Sequence, residues 1–451
     1  MIVEKITKVG KTLWEHKKKT AAGCVAVYFL GRYVQRTRRD ARIRSAYCRE
    51  AAKYGFEPIS PEDRPRRITA LVNVYANERN AFENFKTNAL PLLNLAGLEV
   101  NVIKAEDEEQ MEAIAEAIDS TEADALYIVG GDGTISRVLS GICRSRESGA
   151  LPIGIFPGGN ENRFLTGIAP QVFSMQSDVR RFCESAMALI EQTKREVRVA
   201  RCELDGFEDN EYYKKPIYGL SDVNAGWFLH MEMRKKKLWY WGALKRRFAY
   251  FWEMLKCYPD PLQLSLTYEE YCPGCNRCRP PSTTQTPQWR WWHALVGAPK
   301  YNDNGKPKKD YSCIVNENCG KTHQLSVKAN DFYIEHLQND DTSALRLRTG
   351  GEHLGRLGVM REGWKRCKAD VVATSPDPDF YEHDTKARFL YVSFLAIPDL
   401  IRRFTLFGDE IKLEGELKNK KVKLEATNRK IDLYLPSTIR WSLEEISSGN
   451  Q

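Results

Sequence analysis

The stretch LYIVGGDGTISRVLSGI, residues 126–142, decides how the fold is read. A short apolar run enters Gly-Gly-Asp-Gly-Thr and leaves with Ile135, Val138, Leu139 and Ile142 spaced i, i+3, i+4 and i+7, which is one face of a helix. Strand, glycine turn and helix in that order aim main-chain N–H groups and the positive end of a helix dipole at one point, with no glycine side chain in the way. The spacing starts the helix near Thr134, whose hydroxyl suits a cap. Such a turn favours a phosphate. Asp132 in its middle is repelled by that anion unless a cation or a transferable proton intervenes, so it is expected to serve a magnesium ion, its waters or an acceptor hydroxyl. The plainer alternative is a turn aspartate bonded to its own backbone.

Outward from this turn the pattern alternates. RITALVNV, LEVNVIK, ADALYIV and LPIGIF read as strands. Between them AFENFKTNALPLLNLAG and DEEQMEAIAEAI read as helices, the second with Met111, Ile114, Ala115 and Ile118 on one face. Strands separated by helices imply βαβ crossovers, so residues 61–200 are expected to form a Rossmann-like α/β domain with a mostly parallel sheet. A second glycine loop, FPGGNEN, follows LPIGIF with Pro157, Gly158, Gly159, Asn160 and Asn162. Two such loops at the carboxyl ends of neighbouring strands line one crevice.

Beyond residue 200 the texture changes to runs such as QLSLTY, HQLSVK, ARFLYVSFLAI, KVKLEA and KIDLYLP. Residues 201–440 are therefore expected to form a larger antiparallel β-rich, sandwich-like domain, with the nucleotide cleft between the two domains. One helix, LWYWGALKRRFAYFWEMLKCY, interrupts it with Leu244, Phe248, Phe251, Trp252 and Leu255 on one face and Lys245, Arg246 and Arg247 on the other. The insert 279–312 is rich in Pro, Thr, Asn and Lys and reads as a loop. The run Arg234 to Lys237, the cluster Trp239, Tyr240 and Trp241, and Trp289, Trp291 and Trp292 in QWRWWH are the residue types that favour a membrane interface. They serve equally as core aromatics beside a solvated basic face.

At 451 residues, 42% hydrophobic and 28% charged, the chain is long enough for two or three folded domains and is not of disordered composition. Residues 1–67 hold 17 of its 68 Lys+Arg but only 7 of its 60 Asp+Glu, so the basic character belongs to the N-terminus. There an apolar stretch, Ala21 to Leu30, sits between a lysine cluster and an arginine run. It is too short to span a bilayer, which needs about 20 apolar residues. An Arg-rich, acid-poor leader over residues 1–60 suits a mitochondrial address or a membrane-surface anchor, and its basic face is also what a solvated helix would show. Retention of the leader is expected.

NVYAN with Asn73, GGDGT from Gly130 through Gly131, Asp132 and Gly133 to Thr134, and FPGGNEN resemble the nucleotide-binding motifs of the diacylglycerol kinase catalytic domain family, which includes sphingosine and ceramide kinases. A closer likeness is to the mitochondrial acylglycerol kinases, carried by WEHKKKTAAG, LPLLNLAGLEVNVIK and LWYWGALKRRFAYFWEMLKCYP. The chain departs from the family at Val74, where proline is usual, at Ala105, where threonine is, and at Glu161 in the second loop. The family places an Asp-Gly-Glu triplet on a returning strand, and KLEGELKNKKVKLEA aligns with it at Glu414, Gly415 and Glu416.

The resemblance implies an ATP- and Mg²⁺-dependent lipid kinase that phosphorylates the free hydroxyl of monoacylglycerol or diacylglycerol. It implies Asn73, the two glycine loops and Asn162 as ATP-binding residues, Asp132, Glu414 and Glu416 as catalytic, and Asp132 on the metal side. It also implies a place at the mitochondrial inner membrane facing the intermembrane space, with acylglycerol lipids, the membrane surface and the carrier translocase as partners and no nucleic acid. The alternative is a kinase-like scaffold subunit of that translocase.

YCPGCNRCRPP spaces Cys272, Cys275 and Cys278 as Cys-x2-Cys-x2-Cys, and thiolates at this spacing converge on one ion such as Zn²⁺. Cys313 is the expected fourth ligand, with Cys319 and His293 as alternatives. A disulfide or unpaired structural thiols are the competing readings.

Overall fold

The computed structural model describes residues 17–58, 60, 64–118, 121–145, 151–174, 178–207, 211–256, 261–278, 292, 295, 311, 313–338, 343–367, 374–443 and 445. The first strands are β1 (Arg67–Asn73), β2 (Glu99–Ala105), β3 (Ala125–Gly130) and β4 (Ile153–Pro157), followed by β5 (Lys194–Asp205), β6 (Ile217–Gly219) and β7 (Val223–Gly226). Next come β8 (Leu262–Glu270), β9 (Thr322–Ala329), β10 (Asp331–Gln338), β11 (Ser343–Gly350) and β12 (Tyr381–Ala396). The last are β13 (Arg403–Leu406), β14 (Asp409–Lys412) and β15 (Lys421–Tyr434).

Strands β2, β1, β3 and β4 lie side by side in that order, all parallel. Every residue of β3 and β4 is buried, because helices cover both faces, and continuous apolar runs are what such strands require. One face packs Met111, Ala115, Ile135, Val138 and Leu139, and the other Phe85, Leu92, Leu93, Cys183 and Met187. Helix Glu108–Ala117 starts where Asp107 accepts the Gln110 N–H at 2.6 Å. The strand order reverses between β1 and β3, so a crevice opens there at the carboxyl ends of the strands.

The other strands pair antiparallel, in the order β14, β13, β7, β10, β11, β12 and β15, with β8 and β9 joined through β12 and β5 and β6 through β15. The architecture is thus an α/β region followed by a larger antiparallel β-rich one. The two are not separate sheets. KVKLEA and KIDLYLP, two runs in the sequence, form the single strand β15, whose register against β5 shifts between Ala426 and Lys430. Its first part pairs antiparallel with β12, and its end at Leu433 and Tyr434 pairs parallel with β4.

The chain ends also re-enter the first region. Helix Lys17–Gly55 exposes Val27, Tyr28, Phe29, Leu30 and Tyr33, yet its second half buries Ile43, Tyr47 and Ala51 against the core over β1. Tyr47 Oη donates to Glu184 Oε1 at 2.6 Å, and the Arg440 N–H donates to the same oxygen at 2.7 Å. A leader drawn to residue 60 therefore includes core side chains. Among the described residues, no helix is long and apolar enough to cross a membrane.

The basic-aromatic segment is not one helix. A 3-10 stretch, Lys235–Leu244, whose backbone is non-helical at Leu238 and at Gly242 (φ 52), precedes an α-helix, Lys245–Lys256. Trp289, Trp291 and most of the insert 279–312 lie outside the described residues.

Candidate functional site

Asn73 ends β1, Gly130 ends β3 and Pro157 ends β4, so all three motifs meet at the carboxyl edge of the parallel sheet. Asn73 Nδ2 donates to Thr134 Oγ1 at 2.9 Å while its Oδ1 accepts the Tyr75 N–H at 3.0 Å. The threonine hydroxyl thus ties the first strand to the glycine turn. The helix begins at Asp132, two residues earlier than the apolar spacing places it.

The two glycine loops touch. A methyl group on Gly131 would come within 3.2 Å of Gly159 Cα, and one on Gly159 within 2.5 Å of Gly131 Cα, so larger residues would part the loops. Asn162, at φ 46, locks the second loop from within. Its Oδ1 accepts the Gly159 N–H at 3.0 Å and its Nδ2 donates to the Gly159 and Pro157 carbonyls at 2.9 and 3.3 Å. Gly158 and Gly159 are buried and Asn160 is exposed.

Asp132 points away from open solvent. Its Oδ2 accepts the Arg163 N–H at 2.7 Å and the Ser221 hydroxyl at 3.2 Å, and its Oδ1 accepts the Phe164 N–H at 3.4 Å. The carboxylate therefore satisfies the first amides of helix Arg163–Ile168 and clamps the second loop to the first. Burial pushes its pKa up to about 6, with Asp222 adding to the rise and Arg163 and the two amides opposing it.

Asp222 and Arg163 form an ion pair at 2.5 Å beside this carboxylate. Ser221, Asp222, Arg163 and Tyr333 line a cavity of about 420 Å³ that also meets Glu335, His336 and Arg348. Glu161, an apparent liability beside phosphate, is surrounded by cations. Lys235 Nζ lies 2.6 Å from it, with Arg163 and Arg246 close by. Burial alone would raise the Glu161 carboxyl, but Lys235, Arg163 and Arg246 hold it down at about 2. The basic run beginning at Arg234 thereby returns to the second loop.

The acid that the structure brings to the glycine turn from the C-terminal region is Asp409. Glu414 and Glu416 are exposed, and among the described residues no hydrogen bond or ion pair joins either to the glycine loops. The hairpin of β13 and β14 reaches them instead. Its two-residue turn, Phe407 at φ 50 and Gly408 at φ 97, has the doubly positive φ of a type I′ turn. A methyl on Gly408 would lie 2.5 Å from Gly133 N, and one on Gly133 would lie 2.0 Å from Asp409 Oδ1. Asp409 Oδ2 accepts from Arg137 Nε at 3.0 Å, and the Phe407 N–H donates to the Asp222 carbonyl at 3.0 Å. Phe407, bulky and buried, holds this left-handed conformation because its ring fills the space over Gly219. The three residues Phe407-Gly408-Asp409 between RFTL and EIKL, with glycine among them, are the hairpin signal that would have located Asp409 in advance.

The acids do not suit a protein-held magnesium ion. Both oxygens of Asp132 and of Asp222 accept hydrogen bonds or ion pairs, and Asp409 is paired with Arg137. No carboxylate cluster of metal-binding dimensions occurs among the described residues.

The diacylglycerol kinase catalytic domain profile matches residues 67–202, the segment that carries both glycine loops. An uncharacterised protein of Caenorhabditis elegans is 44% identical over 442 residues, 98% of this chain and 99% of its own length. The chain belongs to the diacylglycerol kinase catalytic domain family. That family is one of lipid kinases. The mitochondrial acylglycerol kinase of Mus musculus is 28% identical over 267 residues, 58% of this chain and 60% of that protein. Human sphingosine kinase 2 is 31% identical over 113 residues, 24% of this chain and 17% of its own.

On the lipid side, family membership gives meaning to one surface. Trp241 and Phe248 stack with centroids 3.9 Å apart, and Phe248 stacks on Trp252 at 5.8 Å. Tyr240, Trp241, Leu244, Phe251, Trp252 and Leu255 are all exposed. Lys237 and Arg247 are exposed beside them.

Proposed function

We propose that the chain transfers the γ-phosphoryl group of ATP to the free hydroxyl of a monoacylglycerol or diacylglycerol, giving lysophosphatidic or phosphatidic acid at a membrane surface. The single observation that carries this is the pair of touching glycine loops at the switch between β1 and β3, with a helix N-terminus beneath them. Main-chain N–H groups at the start of the helix that opens at Asp132 offset charge as it shifts in transfer, whereas those of Gly158 and Gly159 serve the Phe156 carbonyl and Asn162 Oδ1 and shape the second loop. The acceptor oxygen bonds to the γ-phosphorus as the bond to the bridging oxygen breaks, and ADP leaves. The acceptor proton passes to Asp409, the acid that stands over Gly133. Asp132 is a positioning residue that joins the loops. Magnesium accompanying the nucleotide is carried by the phosphate oxygens, and no step is assigned to it.

The exposed aromatic stripe from Tyr240 to Leu255, with its neighbouring lysine and arginines, supports membrane docking. The basic N-terminal segment and the likeness to mitochondrial acylglycerol kinases support a mitochondrial place, at the inner membrane facing the intermembrane space.

One observation favours a second reading, a kinase-like scaffold of the inner-membrane carrier translocase: the turn at Gly408 sits directly on the helix start that a phosphate would approach. The test is the purified chain with Mg-ATP and vesicles containing monoacylglycerol, diacylglycerol, ceramide or sphingosine, beside Asp409→Asn. Phosphorylated acylglycerol that falls at least about 100-fold in the variant supports the kinase. No product from any acceptor refutes it and leaves the scaffold.

A further inference from the structure

A second site lies at the edge of the antiparallel sheet and shares no residue with the glycine loops. We propose that Cys272, Cys275, Cys278 and Cys319 bind one structural zinc ion. Strands β8 and β9 pair from Leu262↔Ala329 to Glu269↔Thr322, so the end of one lies against the start of the other. Cys272-Pro-Gly-Cys275-Asn-Arg-Cys278 leaves β8 just after that pairing ends, and Cys319 arrives just before β9 begins. The four sulfurs all lie within 4.8 Å of one another.

Two of the spacings match the edges of a zinc tetrahedron. Cys275 Sγ and Cys278 Sγ are 3.7 Å apart, and Cys278 Sγ and Cys272 Sγ 3.8 Å. Four thiolates about 2.3 Å from a central zinc stand about 3.8 Å from each other. A disulfide would place two sulfurs at about 2.05 Å, and all four cysteines are free thiols.

The surroundings orient these sulfurs. The Cys275 N–H donates to Cys278 Sγ at 3.3 Å, and Asn316 Nδ2 donates to Cys272 Sγ at 3.2 Å. Amide donors of this kind fix ligand geometry and favour thiolate. Between the first two cysteines Gly274 adopts φ +143, and a methyl there would fall 2.2 Å from the Tyr311 ring, so only glycine forms this turn. Among the described residues, no carboxylate or imidazole joins the four sulfurs. An all-sulfur set selects a soft ion such as zinc over magnesium or calcium, and four protein ligands leave no open position for catalysis.

Cys313, the ligand expected from spacing, is exposed and is not one of the four, and His293 lies outside the described residues. Cys319 takes the place because strand pairing, not sequence proximity, brings it back. Binding displaces four thiol protons and gives a dianionic zinc tetrathiolate. The ion closes the excursion between β8 and β9 and fixes the root of the insert 279–312 on the sheet edge.

The full chain, purified without chelator, is tested by elemental analysis and by cobalt substitution. One zinc per chain is expected, and the cobalt form should show tetrahedral tetrathiolate absorption. Cys319→Ser should weaken retention against a competing chelator by at least about tenfold, while Cys313→Ser leaves it unchanged. If Cys319→Ser does not fold, the cobalt spectrum of the unsubstituted chain decides by itself. Reduced chain without zinc, disulfide-bonded chain without zinc, bound iron, or zinc lost from Cys313→Ser and kept by Cys319→Ser each overturns the assignment.

Discussion

Asp132 shows how far a residue's role follows from its motif. The glycine turn around it was legible because strand, turn and helix are contiguous, whereas Asn162, expected to bind ATP, has its side chain bonded within its own loop. The partners of Asp132 were not legible. Arg163, Ser221 and Asp222 come from other segments, and Asp409 meets Arg137 across 272 residues of chain. The buried carboxyl titrates near 6 instead of 3.8, so the folded chain holds its proton more tightly than the unfolded one. Stability should therefore fall as pH rises from about 4 to about 6. Denaturant titrations across that window should show this fall reduced in Asp132→Asn, and an identical slope in both proteins would contradict it. Gly133→Ala tests the contact above it. Its methyl would meet Asp409 Oδ1 at 2.0 Å, so the Asp409 carboxylate must swing aside, with a loss of about 1–3 kcal/mol in stability and about 100-fold in turnover.

At the scale of elements, the alternating strands and helices of the first region could be read from apolar periodicity. The reach of helix Lys17–Gly55 could not, because its apolar run is exposed at Val27, Tyr28, Phe29 and Leu30 while the turns that pack, around Ile43, Tyr47 and Ala51, lie in the arginine-rich second half. Deletion of residues 1–34 should leave the melting transition nearly unchanged, whereas deletion through residue 55 strips Ile43, Tyr47 and Ala51 from the core and should abolish cooperative unfolding. Tyr47→Phe removes one donor from buried Glu184 and should cost about 1–3 kcal/mol by chemical denaturation. In helix Arg356–Arg366 the fully buried Arg366 pairs with Asp331 at 2.7 Å and with Glu362 at 3.2 Å. Arg366→Met leaves Asp331 charged without that partner and should cost about 3–5 kcal/mol.

At the scale of the whole molecule, the exposed aromatic stripe and the glycine loops belong to opposite kinds of chemistry, one for lipid and one for phosphate. Trp241→Ala combined with Trp252→Ala should lower binding to anionic vesicles roughly tenfold or more in sedimentation assays, while turnover of a short-chain soluble acylglycerol stays unchanged. The stripe was visible in the sequence, but the break at Gly242 was not, since a glycine within an apolar helical pattern also fits an unbroken helix. The two regions were read from sequence as separate domains, and β15 joins their strands in one sheet, its polar interruption Thr427-Asn428-Arg429 being a register shift and not a reversal. That strand has a mechanical consequence. Because β5 and β15 continue through both regions on one ladder of hydrogen bonds, the crevice cannot widen by sliding one body over another. It must open as a twisted ribbon untwists, with the irregularity between Ala426 and Lys430 as the point of least torsional resistance.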